Sequence, residues 1–249
     1  MFDLAGKNII IIGGNKGIGF AYAESLLENH AKVTISGTVE SENLNAVKKL
    51  QQISEKVSYI NFDVTNIEFF IDYLQSKNTI PNVLFLNQGM LNFKESWNEN
   101  TINESVRINL TRSLEITEIF VNNLIKNNQS GKVIYTASIA GILGMPLDIT
   151  YGASKAGLIN AAKSYAVKYG KYGITFNTIS PGWVDTNMYK KIENLPFSDK
   201  LKETIISRTP LKRVGETKDL KGVATFLSSS ESDYITGANI VIDGGFSIG

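Results

Sequence analysis

The sequence predicts an α/β fold, a doubly wound parallel sheet with helices on both faces. Short β-branched runs recur along the chain, several almost uninterruptedly apolar, as strands buried on both faces of a parallel sheet must be. Stretches of helical periodicity separate them, and strands alternating with helices build βαβ units. A glycine-rich loop, IIGGNKGIG (11–19), follows the first run directly.

The elements follow in order. KNIIII (7–12) is the first strand, and the helix after the glycine loop ends near Asn29 and His30, where a helix-terminal role suits the histidine. Further strands fall at KVTIS (32–36), VSYINF (57–62) and NVLFL (82–86), then KVIYTA (132–137), ITFNTI (174–179) and NIVID (239–243). Residues 109–126 carry Leu110, Leu114, Thr117, Val121 and Leu124 at helical spacing, and a second long helix covers 151–170. The longest irregular stretch, 181–216, contains three of the five prolines, and a loop of that length reads as a lid or binding loop. No repeat or linker interrupts the 249 residues, so residues 1–249 read as one domain.

Composition excludes several kinds of function. A formal net charge of +1 gives no support to a nucleic-acid partner. With no cysteine and one histidine, the chain offers no disulfide, no thiol nucleophile and no Cys/His zinc site, and no metal is expected. Acid–base chemistry near neutral pH must therefore come from carboxylates, lysine or tyrosine with a tuned pKa. No run approaches the ~18 apolar residues of a membrane span, and MFDLAGKN lacks signal-peptide character, so a cytoplasmic protein is expected.

Ligands of open α/β sheets bind beyond the carboxyl ends of the strands. Gly37 and Thr38 fall there, as do Asp63, Asn87, Gly89, Ser138, Pro181 and Gly182. In YGASKAG (151–157), Tyr151 and Lys155 are four apart and share one helical face. An ordinary tyrosine, with a pKa near ~10, is roughly 4 kcal/mol short of donating its proton at neutral pH. An ammonium ~4 Å away supplies about that much at an effective dielectric of ~20. A second Y-x-x-x-K, Tyr73 to Lys77, reads as solvated surface.

Together these features resemble the short-chain dehydrogenase/reductase superfamily. The G-x-x-x-G-x-G loop, N-x-G after strand four and a serine thirteen residues before Y-x-x-x-K all stand in order, as does PGWVDT (181–186). The resemblance continues through PLKRVGE (210–216) and ITGANIVIDGG (235–245), and it is nearest to 3-oxoacyl-(acyl-carrier-protein) reductases. It implies a Rossmann-like, seven-stranded parallel sheet. It also implies that Gly13, Gly17 and Gly19, with Asn15, Lys16 and Ile18 between them, let the backbone approach a cofactor pyrophosphate. Asp63 and Val64 would meet the adenine, and Asn87 and Gly89 would line the cofactor. Pro181, Gly182, Val184 and Thr186 would flank the nicotinamide. Ser138 would bind the substrate carbonyl and Tyr151 would donate the proton. Lys155 would lower the tyrosine pKa and hold the ribose, and Asn109 would support a water-linked relay. All four catalytic positions are present. Ile12 replaces the usual threonine, and LNQG puts Leu86 and Gln88 where the family usually has Asn and Ala.

Gly37 occupies the place where NAD enzymes carry an acid, and Lys16 matches a basic position of NADP enzymes, so NADP(H) is favoured over NAD(H). Thr38 stands where an NADP-binding arginine is usual. The substrate walls should come from 139–148, 90–97 and 183–209, with Ile139, Leu143, Met145, Leu147, Trp183 and Met188 giving an apolar pocket. The expected substrate is a small carbonyl or alcohol, 3-oxoacyl on acyl carrier protein or otherwise; sugar dehydrogenation and a catalytically silent NADP sensor are the alternatives. An enoyl reductase would need tyrosine at position 148, which is Asp148. The resemblance also implies a homodimer or homotetramer built on the small residues of 151–170.

Overall fold

The computed structural model describes residues 2–76, 80–91, 98–193 and 198–249. Their core is a seven-stranded, all-parallel sheet of order β3-β2-β1-β4-β5-β6-β7, Rossmann-like and doubly wound. The strands are β1 (Asn8–Ile12), β2 (Lys32–Gly37), β3 (Val57–Asn61), β4 (Val83–Leu86), β5 (Gly131–Thr136), β6 (Ile174–Pro181) and β7 (Asn239–Ile242). Every residue of β1, β4 and β5 is buried, which is why these runs lack polar alternation. The winding reverses between β1 and β4, and that reversal opens a crevice at the carboxyl edge.

Helices cover both faces. On one side α1 (Gly17–Glu28), α2 (Glu40–Leu50) and α9 (Lys221–Ser228) close a core containing Ile9, Ile11, Leu26, Val33 and Leu227. On the other, α3 (Ile67–Gln75), α5 (Arg112–Lys126) and α6 (Ile149–Tyr169) close a core containing Ile10, Leu84, Phe120 and Leu158. Helix α1 ends as its sequence suggested. His30 adopts φ 73°, and Ala31 N donates to Leu26 O while His30 N donates to Leu27 O, which closes the helix with a left-handed cap.

Three expectations need correction. The periodic stretch at 109–126 is not one helix. Helix α4 (Glu99–Val106) runs into a π-helical turn at Arg107–Thr111, and only then does α5 begin. Leu110, in that turn, packs against Gly157 of α6 and against the core that α5 closes. The 181–216 stretch is not irregular, because it holds α7 (Asn187–Glu193) and α8 (Ser198–Arg208). Tyr189 and Ile205 form a small core of their own there with Leu91, Trp183, Leu201 and Val214. Tyr73 is not solvated surface either: it is buried against Phe70, and its hydroxyl donates to Thr34 Oγ1 at 3.4 Å. Lys77, its supposed partner, lies outside the described residues.

Candidate active site

A cavity of about 670 Å³ runs along the carboxyl edge of the sheet across the β1/β4 reversal. At one end the β1–α1 loop is shaped by its glycines. Gly13 has φ 78°, and a Cβ on Gly19 would stand 2.1 Å from Gly13 O, so the loop folds onto the first turn of α1 with no room for a side chain. Asn87 straps this turn to the end of β4, its Nδ2 donating to Gly13 O at 2.8 Å. No side chain caps α1, and its first turn carries no acid. Gly17 and Ile18 therefore present a helix N-terminus, with unused N–H groups and positive dipole end, to the cavity. That terminus and the glycine cradle fit the pyrophosphate of a dinucleotide.

The cavity beyond β2 and β3, where the adenosine is expected, is bounded by Ser36, Gly37, Thr38, Asp63, Val64 and Thr65. Asp63 accepts from Thr65 N and Thr65 Oγ1, both at 2.8 Å, and the Thr65 backbone bond leads in holding its carboxyl below the usual range. Lys16 is not a free cation, because Glu42 of α2 reaches back and pairs with it at 3.0 Å. No sequence signal marked Glu42, since it stands five residues beyond the strand end and only the fold of α2 turns it towards the loop.

At the other end stand Ser138, Tyr151 and Lys155. Ser138 follows β5 as the N-cap of a 3₁₀ turn (Ile139–Gly141), accepts from Ala140 N at 3.1 Å, and stands close enough to the Tyr151 phenol to favour its charged form. Lys155 is 2% exposed, donates to Thr136 O at 2.7 Å, and holds its Nζ 5.4 Å from the Tyr151 ring centroid. Here the structure departs from expectation. Burial pushes the Tyr151 phenol up to about 12, only partly offset by the Ser138 hydroxyl, and the Asp148 charge adds to the rise. Burial likewise brings Lys155 down to about 8. Burial is the leading cause of both shifts, and Lys155 is not among the groups that shift the tyrosine.

Asn109 does not line the cavity. It sits fully buried in the π-helical turn, with Oδ1 accepting from Met90 N at 2.7 Å and Nδ2 donating to Met90 O at 2.8 Å. Gly19 also lies behind the wall rather than in it, whereas the remaining expected cofactor residues, from Gly13 and Asn15 through Pro181, Gly182, Val184 and Thr186, border the cavity. Of the apolar residues expected around a substrate, Ile139, Met145, Leu147, Trp183 and Met188 line it and Leu143 does not. Of the expected wall at 90–97, residues 92–97 lie outside the described residues. Leu91, in the expected wall at 90–97, and Tyr189, in the expected wall at 183–209, line the cavity as well.

The departures at positions 12, 86 and 88 now have a physical account. Ile12 and Leu86 are register partners in β1 and β4, both about 1% exposed, and both belong to the apolar core on that face. Gln88 Nε2 donates to Ser113 Oγ at 2.9 Å, and Ser113 in turn donates to Asn109 O.

A doubly wound sheet with a dinucleotide-shaped crevice and a Ser–Tyr–Lys cluster defines the class, a nicotinamide-dependent oxidoreductase. A family model described as enoyl-(acyl carrier protein) reductase matches residues 12–247. The 3-oxoacyl-(acyl-carrier-protein) reductase FabG of Thermotoga maritima is 33% identical, covering 98% of this chain and 99% of its own. L-rhamnose-1-dehydrogenase of Scheffersomyces stipitis is 32% identical, covering 97% and 96%. A candidate gluconate dehydrogenase from Agrobacterium tumefaciens superposes with a TM-score of 0.94 at 28% identity, covering 100% and 98%. A candidate 2-deoxy-D-gluconate 3-dehydrogenase from the same organism, solved with bound NADP, gives 0.87 at 27% identity, covering 98% of each chain. The chain belongs to the short-chain dehydrogenase/reductase superfamily and is an NAD(P)-dependent oxidoreductase. No helix among the described residues is long and apolar enough to cross a membrane.

Proposed function

We propose that the protein is an NADP(H)-dependent carbonyl reductase that interconverts a ketone and a secondary alcohol. The observation that carries this reading is the convergence of Ser138, Tyr151 and Lys155 at one end of a cavity whose other end is an uncapped helix terminus. When bound, a nicotinamide cofactor supplies the hydride. The residues that hold it are those of the Gly13–Gly19 loop, Thr38, Asp63 and Val64 at the adenosine end, and Asn87 and Gly89 along the wall. Pro181, Gly182, Val184 and Thr186 hold the nicotinamide end.

The substrate carbonyl accepts hydrogen bonds from Ser138 and Tyr151. As the carbonyl carbon is reduced its oxygen gains charge, and the Tyr151 proton passes onto it. A phenol held near 12 is fully protonated at neutral pH, the form that a donor needs. The Lys155 ammonium then faces the tyrosinate left behind, and Asn109 supports the return of a proton by fixing the backbone at Met90.

Preference for NADP(H) is supported by the end of β2. Gly37 carries no acid at the end of β2, and Glu42, a carboxylate that lines that end, is paired with Lys16. Lys16 supplies a cation at that end. The walls at Leu91, Ile139, Met145, Leu147 and Trp183 suit a ketone with an apolar flank, a 3-oxoacyl chain included. Asp148 at the position where an enoyl reductase needs tyrosine argues against enoyl reduction. A sugar substrate is the second reading, favoured by the likeness to L-rhamnose-1-dehydrogenase. A cytoplasmic homodimer or homotetramer remains part of the proposal, with Ala153 and Ala156 exposed on α6 for a second copy to cover.

The test mixes the protein with NADPH and a panel of ketones, sugars and 3-oxoacyl thioesters, following NADPH absorbance. Tyr151→Phe should lower turnover roughly 10²–10⁴-fold with NADPH binding retained. Turnover that survives this change would sink the assignment.

A further inference from the structure

One buried chain of polar groups joins the π-helical turn to the start of the catalytic helix. Asn109 Nδ2 lies 3.3 Å from Ser105 Oγ, and Ser105 Oγ lies 2.9 Å from Thr150 Oγ1. Thr150 Oγ1 is 2.8 Å from Asp148 Oδ1, and that same oxygen accepts from Tyr151 N at 2.9 Å. Ser105, Asn109, Asp148 and Thr150 are all 9% exposed or less.

Chemistry fixes the direction of this chain. A carboxylate oxygen only accepts, so Thr150 gives its single hydroxyl proton to Asp148. Ser105 must then donate to Thr150, and the Asn109 amide must donate to Ser105. The other N–H of that amide goes to Met90 O, and its oxygen accepts from Met90 N. Each of these Asn109 groups has a partner, so the side chain has one orientation. The run therefore starts at the Met90 backbone and ends at the Tyr151 backbone, crossing from the wall after β4 through α4 to α6. Next to Met90 is Gly89, where a Cβ would lie 3.5 Å from Lys155 Nζ.

A helix cap needs only Asp148 and Tyr151 N. Ser105 and Thr150 add a link to a different element, and buried hydroxyls are costly unless every proton finds an acceptor. Resting on the function proposed above, we propose that Ser105, Thr150 and Asp148 are positioning residues, which register the first turn of α6, and so Tyr151, against Asn109 and the Gly89–Met90 wall. None of them donates a proton to substrate. They act through Asn109 and the backbone of Tyr151.

Thr150→Val removes the central hydroxyl with little change of shape, and Thr150→Ser keeps it. Hydrogen exchange, read by mass spectrometry on peptides containing Met90 and residues 149–153, reports the link without any substrate. In Thr150→Val, exchange at both peptides should rise roughly tenfold, and kcat should fall roughly tenfold with KM and NADPH affinity within about twofold. Thr150→Ser should stay within about threefold of wild type in every measurement. Loosened exchange confined to 149–153, or valine and serine variants that behave alike, would overturn the proposal. Should the valine variant fail to fold, Ser105→Ala and Asp148→Asn carry the same two readouts. If the wild-type protein reduces no carbonyl compound, the proposed function fails while the exchange measurement still decides whether the link exists.

Discussion

The N-termini of α1 and α6 open on the same cavity and are finished in opposite ways. Helix α1 starts without a side-chain cap and without an acid in its first turn. Helix α6 is closed by Asp148, whose carboxylate takes Tyr151 N and Thr150 Oγ1. Both termini favour negative charge. One provides it from its own sequence and becomes rigid, and the other leaves the place to a ligand. On the proposed function, binding and chemistry divide accordingly: the open end would hold an anion, and the closed end would hold a tyrosine still.

The largest test of this contrast exchanges the two finishes. Lys16→Asp replaces the cation at the open end with a carboxylate, and it should weaken NADPH binding by roughly 10²-fold while stability changes by less than ~1 kcal/mol. Asp148→Ala should do the reverse, costing about 1–2 kcal/mol of stability with NADPH affinity within a few-fold. Fluorescence titration and denaturant unfolding on both variants measure the two effects. If both variants lost the same property, the division of labour would be wrong.

The pH profile sharpens the closed end. On the proposed mechanism, reduction needs protonated Tyr151 beside charged Lys155, so its rate should be flat below pH 8 and fall above it as Lys155 deprotonates. Oxidation requires the tyrosinate beside the ammonium. Its rate should climb about tenfold per pH unit up to the Lys155 value and then level. Stability follows the same lysine. Its folded pKa of about 8 lies below the ordinary lysine value of 10.5, so between these the unfolded chain binds more protons and unfolding free energy rises with pH. Initial rates in both directions and urea unfolding at several pH values check these signs.

The smallest effect belongs to the open end. Glu42→Gln removes the carboxylate that pairs with Lys16, an exposed contact worth little to folding. It should raise the NADPH-to-NADH ratio of kcat/KM by roughly three- to tenfold, since a competing charge leaves the 2′ position. An unchanged ratio would remove Lys16 from cofactor selection.

Much of the fold was legible because it rests on local pattern. The buried strands announced themselves as apolar runs, and the seven intervals appear as strands within a residue or two at each end. The misread segments share a cause. The π-helical turn at Arg107–Thr111 preserves apolar spacing, so a 3.6-residue reading that starts at 109 runs straight through it into α5. Stretch 181–216 looked irregular because its helices bury their residues against Trp183 and Leu91 rather than along one clear stripe. Tyr73 was misjudged because its partner Thr34 is far away in sequence.

By itself the sequence determined the alternating architecture, the glycine loop, and the presence of Ser138, Tyr151 and Lys155 at strand or helix ends. These follow from periodicity, steric demands and spacing, which act over a few residues. Only the tertiary structure decided how those groups are tuned. Burial on all sides sends the tyrosine up and the lysine down. Residues 42, 105, 148 and 150 acquire their roles from elements that meet only when the chain is folded. Desolvation and hydrogen bonding across elements depend on neighbours in space, and no local pattern of residues encodes them.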